Sequence, residues 1–91
     1  MQPDVAARTV QEERDACARI AADWKDYTKH AMRLVAEAIG LAIGARGVLA
    51  NTVEEEREAC ARIAHEWQQN TVDEMYLVAQ AIHLGILARG E

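Results

Sequence analysis

The sequence predicts an all-α fold: two tandem helix-turn-helix hairpins, related by a pseudo-twofold axis and packed as a four-helix bundle. Three observations lead there. Residues 9–47 align with residues 52–90 at an offset of 43 without a gap, and 24 of the 39 pairs are identical, so one unit was made twice. Ala, Glu, Arg, Leu and Ile dominate, with a single Pro and no Phe, which is a helical composition. Within each copy, apolar residues recur at the helical period in two successive stretches. A chain of 91 residues makes one domain, 1–91, with a modest core that self-association commonly enlarges.

The first helix of the first copy places Val10, Cys17, Ile20, Ala21 and Trp24 on one face. Pro3 suits a first helical turn, so this helix is expected to begin near Asp4. Residues 22–31, ADWKDYTKHA, contain neither Gly nor Pro, and heptad phase runs through them. A continuous helix from about residue 4 to 46 in an intertwined oligomer is therefore an alternative, one that needs a partner chain to cover its seam. In the second copy the same phase meets Asn70 and Glu74, which favours a turn in both copies.

The second helix, Met32 to Ile43, is apolar around most of its circumference and is expected to be the buried element. Gly47 and Gly90 follow Arg46 and Arg89 as C′ residues, and a Schellman ending would bring Val48 onto Ile43. The stretch 47–51 then joins the copies. Thr52 with Glu55 has capping-box spacing, and Glu54, Glu55 and Glu56 follow where the helix dipole favours anions. Thr71 with Glu74 has the same spacing and predicts a helix start near 71. The last helix carries the counterparts Met75 to Leu87.

The repeated stretch itself is ERDACARIA at 13–21 and EREACARIA at 56–64, followed by Ala45-Arg46-Gly47 and Ala88-Arg89-Gly90. This pattern resembles small uncharacterised proteins of alphaproteobacteria and their phages, in which it usually occurs once. The resemblance covers most of the chain and implies a bacterial or phage origin and no particular activity. Its doubling here suggests an internally paired bundle.

Charge excludes more than it suggests. The net charge is −5, and the second copy carries most of it, since the first balances six basic residues against six acidic ones. No basic stripe is present for a phosphate backbone, so nucleic acid is not an expected partner. The most apolar run, Ala31 to Ala50, is interrupted by Arg33, Glu37, Arg46 and three glycines, which is too polar for a membrane span. Two Cys without a visible signal peptide read as free thiols, and a cytoplasmic location is expected.

Candidate chemistry is sparse. There is no phosphate-binding Gly loop, no H-E-x-x-H, no C-x-x-C and no nucleophile elbow, so an enzyme is not expected and neither is a cofactor. Cys17 and Cys60 hold equivalent positions, as thin packing residues or as a pair that meets or binds metal near the pseudo-twofold. Glu13 and Glu56 fall inside the apolar stripe, about 40° from their cysteines at 3.6 residues per turn. Hairpin arithmetic sets Glu56 opposite His83 and Glu13 opposite Gly40. The choice is between an acid/base pair with His83 and a first-turn ion pair to Arg14, Arg57 or the returning helix end. Gly40 and Gly44 form G-x-x-x-G, with His83 and Leu87 as their counterparts, which suggests close helix approach with the bulkier pair opposite. Trp24 and Trp67 are expected to plug the core near each hairpin tip. The functional expectation is a non-enzymatic interaction or assembly module with a homodimer or another protein as partner. The alternative is a small ligand or metal held between the repeats by Cys17, Cys60 and His83.

Overall fold

A computed structural model describes the backbone of residues 3–90 and the side chains of residues 9–90. Four helices follow one another, and no strand occurs among the described residues: α1 (Pro3–Tyr27), α2 (His30–Gly44), α3 (Val53–Gln69) and α4 (Asp73–Ala88). Only two or three residues join α1 to α2 and α3 to α4, so each pair folds back as an antiparallel hairpin. The linker returns the chain to the end where α1 starts, and α3 therefore runs in the direction of α1. The bundle measures 47 × 22 × 19 Å, and the 25 residues of α1, about 38 Å long at 1.5 Å each, span most of its long dimension.

Each hairpin turn is built the same way, and the chain does break in the first copy. Thr28 Oγ1 donates to the Trp24 carbonyl at 2.6 Å, and Thr71 Oγ1 to the Trp67 carbonyl at 2.7 Å. An extended residue follows, Lys29 (φ −133°, ψ 161°) or Val72 (φ −133°, ψ 164°). The next residue is left-handed: His30 at φ 56° or Asp73 at φ 55°. The continuous helix to 46 is thus not formed. Thr71 closes α3 instead of capping α4, whose N-cap Val72 has no side chain that can do so. The signal was His30 and Asp73 themselves, since His and Asp are among the few side chains that tolerate this backbone region.

At the start of α3, Thr52 Oγ1 accepts from the Glu55 N–H at 3.1 Å, the expected N-cap. At the end of α2 the Schellman motif is absent. Its C-cap Ala45 is right-handed (φ −84°), no described glycine has positive φ, and Val48 points to solvent. The linker is held by side chains instead, as described below.

The core repeats copy by copy. Ile39, Ile43, Ile82 and Ile86 are its largest fully buried apolar side chains, with Val35, Val78, Ala36 and Ala79 beside them. Helices α1 and α3 answer with small groups: Cys17 and Ala21, Cys60, Ala61 and Ala64. Small residues on one pair of helices and branched residues on the other let the axes come close and still fill the space between. Gly85 marks a close approach between copies, where a Cβ would lie 3.3 Å from Ile20 Cγ2. Trp24 and Trp67 do not plug the core. Each keeps over a third of its surface in solvent, because α1 and α3 outrun the layer of isoleucines.

Candidate functional site

The densest polar group lies at the end of the bundle where α1 and α3 begin to pack and α2 and α4 finish. Glu13 Oε2 accepts from Arg57 Nε at 3.0 Å and from Arg89 Nε at 2.8 Å, and its Oε1 from Arg89 NH2 at 2.6 Å. Glu56 Oε2 accepts from Arg14 Nε at 2.9 Å and from Arg46, and its Oε1 from the Ala50 N–H at 3.0 Å. Arg14 goes on to donate to the carbonyls of Arg46 (2.7 Å) and Val48 (3.1 Å). The linker is thereby pinned at Arg46, Val48 and Ala50.

The exchange is reciprocal. Each copy's glutamate takes the first-helix arginine of the other copy and the arginine just past its second helix. Glu56 is fully buried and Glu13 and Arg14 nearly so, so these are desolvated, hydrogen-bonded pairs rather than surface ones. Burial pushes Glu56 up, but the hydrogen bonds from Arg14, the Ala50 N–H and Arg46 outweigh it and hold the carboxyl at about 2. Glu13 also lies below its usual range, first through the Arg89 hydrogen bond, against burial, and then through Arg57. The expected facing of Glu56 with His83 does not occur, and Gly40 does not face Glu13. Nor is Glu13 a first-turn residue, since α1 begins ten residues earlier. The ion-pair reading was the right one of the two, with partners that cross between copies. Three N–H donors on each carboxylate hold it ionised at the bundle end.

Cys17 and Cys60 sit one turn further in, both fully buried. They hold equivalent positions on α1 and α3 within the one core cluster. Each also lies near its own glutamate, Cys17 Sγ at 3.9 Å from Glu13 Oε2 and Cys60 Sγ at 3.6 Å from Glu56 Oε2. The neighbouring Cys60, and then burial, push the Cys17 thiol up, while Cys17 lowers Cys60 against burial.

His83 is not brought to the cysteines. It lies on the outer groove between α3 and α4, lined by Glu58, Ala61, Arg62, His65 and Leu87. Its ring is tilted 48° to that of His65 at 5.0 Å, and its Nδ1 is 3.2 Å from Gln68 Oε1. Gln68 Nε2 in turn donates to the Tyr76 hydroxyl at 3.1 Å. Burial, and then the neighbouring His65, lower His83. His65 Nδ1 is buried without a hydrogen-bond partner among the described residues. Nowhere among the described residues do three or more His, Cys, Asp or Glu side chains converge as metal ligands would.

Gly40 occupies the matching groove of the first copy, with Ala18, Ala22, Lys25, Glu37 and Leu41. A Cβ there would meet Ala21 Cβ at 3.4 Å, an ordinary contact within its own hairpin, and one at Gly44 would meet nothing. G-x-x-x-G is therefore not a seam between copies, and His83 and Leu87 do not lie opposite it. Ala22 and Gly40 leave open in one copy the groove that His65 and His83 line in the other.

No family model, no curated protein and no solved structure matches this chain.

One surface feature escaped the reading of α2 and α4 as elements buried all round. Leu34 and Leu41 are each 67 % exposed, and their counterparts Leu77 and Leu84 are 60 % and 55 % exposed. On α4 they join Leu87 and Tyr76, both over a third exposed, and no charged residue occurs from Met75 to Ala88. Among the described residues no helix is long and apolar enough to cross a membrane.

Proposed function

We propose that the protein is a non-catalytic assembly module whose working surface is the outer face of α4, and that its partner there is a second copy of the chain. The observation that carries this reading is the uncharged run Met75 to Ala88 with Leu77, Leu84, Leu87 and Tyr76 left in solvent. A helix apolar all round belongs in an interior, and the single chain covers only one side of this one. Leu77 and Leu84 are a heptad apart, so two α4 helices can interlock along that seam. A twofold dimer built on one face satisfies both chains with the same patch. The stripe on α2, broken by Arg33 and Glu37, is the poorer candidate. The buried, cross-paired Glu–Arg cluster supports a structural rather than a chemical role for the repeated motif. A bacterial or phage accessory factor acting by protein contact fits this reading.

Light scattering on size-fractionated protein tests it. The chain, 10.1 kDa, should run at twice that mass, and Leu77→Glu with Leu84→Glu should return it to the monomer with its helicity intact. A wild-type chain that is monomeric across the accessible concentration range overturns the self-association. A dimer that survives the double substitution overturns the choice of face.

A further inference from the structure

We propose that His65 and His83 form a binding site for a divalent transition-metal ion of the zinc class, held between α3 and α4. The two rings come from different helices and line one groove of about 270 Å³ on the outside of the second hairpin. Their centroids are 5.0 Å apart and their planes are tilted by 48°. An ion about 2.1 Å from one nitrogen of each ring places the centroids of two imidazoles about 5 Å apart at a tetrahedral angle. The observed spacing is therefore that of two rings able to share one ion.

The second observation is what the ring nitrogens lack. Nδ1 of His65 is buried and has no hydrogen-bond partner among the described residues, a costly state for a polar atom unless a ligand relieves it. His83 is oriented from behind. Its Nδ1 is 3.2 Å from Gln68 Oε1, and Gln68 Nε2 donates to the Tyr76 hydroxyl at 3.1 Å, which turns the amide oxygen toward the ring. An amide oxygen only accepts, so Nδ1 of His83 carries the proton and Nε2 keeps its lone pair. A hydrogen bond at the other nitrogen is how proteins commonly fix a histidine for a metal, and Gln68 is the positioning residue here.

Packing alone does not call for imidazoles at these places. The first copy builds the same hairpin with Ala22 and Gly40 there. Charge favours a cation over an anion, because the second copy carries most of the net charge of −5. At the rim of the groove Glu58 and Arg62, both exposed, offset one another. Imidazole nitrogen suits zinc, copper and nickel rather than magnesium or calcium. No third His, Cys, Asp or Glu joins the pair among the described residues, so water completes the coordination and the ion exchanges with solvent. Because the two ligands stand on α3 and α4, the ion ties those helices together.

The inference does not depend on self-association, and its test is read on the histidine rings. Zinc chloride is titrated into the full chain, stripped of metal, while the ring signals of its three histidines are followed by NMR. His65 and His83 should move together and saturate at one zinc per chain, with His30, in the first hairpin turn, unmoved through that step. His65→Ala and His83→Gly each copy the residue of the first repeat, so both variants should keep their helicity, and each should lose the site. Gln68→Leu leaves both ligands in place and should weaken binding by about 10–100-fold. Zinc should raise the melting temperature of the wild-type chain and leave that of His83→Gly where it was. Rings that do not respond to excess zinc, or three histidines that respond alike, overturn the proposal. So does a His65→Ala or His83→Gly chain that binds zinc as tightly as the wild type, and undiminished affinity in Gln68→Leu overturns the part given to Gln68.

Discussion

Glu56 takes Arg14, Arg46 and the Ala50 N–H into a site without solvent, and its removal should be the most damaging single change to a charge. Glu56→Ala takes the carboxylate from buried Arg14, leaving it only its two carbonyl acceptors, and from part-buried Arg46, and is expected to cost about 3–5 kcal/mol in a denaturant titration. Glu55→Ala, one residue away but exposed, should stay within about 0.5 kcal/mol. The same carboxyl sets an acid limit. Its folded value of about 2 lies below the ordinary 4.5, so the unfolded chain binds the proton first as pH falls. The stability it contributes is complete above pH 4.5 and is lost on the way down to about 2, and Glu13, also lowered, adds in the same direction. Glu56→Gln should flatten the acid limb of a melting-temperature profile. An unchanged limb would show that other groups dominate acid unfolding. Of this cluster the sequence made legible the placement of Glu13 and Glu56 in the apolar stripe. It did not reveal their partners, because helical periodicity describes a residue's own face and says nothing of which charge arrives from 42 or 76 residues away.

Among the elements, the two hairpin turns carry an identifiable strain. His30 and Asp73 hold positive φ with a Cβ in place, where glycine has no such conflict. Asp73→Gly and His30→Gly are expected to be neutral or to stabilise by up to about 1 kcal/mol, whereas Asp73→Val should destabilise by more than Asp73→Asn. Equal losses for Val and Asn would show that the left-handed backbone does not matter. The cap of α3 is a second handle: Thr52→Ala removes the acceptor for Glu55 N–H and should cost about 1 kcal/mol. Thr71→Ala acts at the C-terminal end of α3 and not on the start of α4. Both threonines begin a T-x-x-E pattern, and only the backbone before the second tells the two apart. Gly44→Ala, with open space for its Cβ, should gain up to about 1 kcal/mol from helix propensity.

For the molecule as a whole, duplication has become symmetry. Ile39 and Ile82 fill equivalent fully buried places, so Ile39→Ala and Ile82→Ala should each lose about 2–5 kcal/mol and by similar amounts. A large disparity would mean that one hairpin is the more stable half and that the halves do not unfold together. The symmetry is broken on the outside, where Ala22 and Gly40 leave open the groove that His65 and His83 line in the other copy. Because burial lowers His83, its neutral form favours the folded chain. The stability it contributes falls as pH drops below the ordinary 6.5, and His83→Gly, which copies the first repeat, should remove that dependence.

The sequence by itself determined the repeat, the number of helices, the N-cap of α3 and the isoleucine core, because periodicity and capping are local properties and duplication copies them. Tertiary structure alone decided that the glutamates exchange arginines between copies and that Leu77 and Leu84 look outward. These depend on how far one hairpin is rotated against the other. Side-chain volumes along the whole contact set that rotation, from the alanines and cysteines of α1 and α3 to the isoleucines of α2 and α4, and no single stretch of chain contains it.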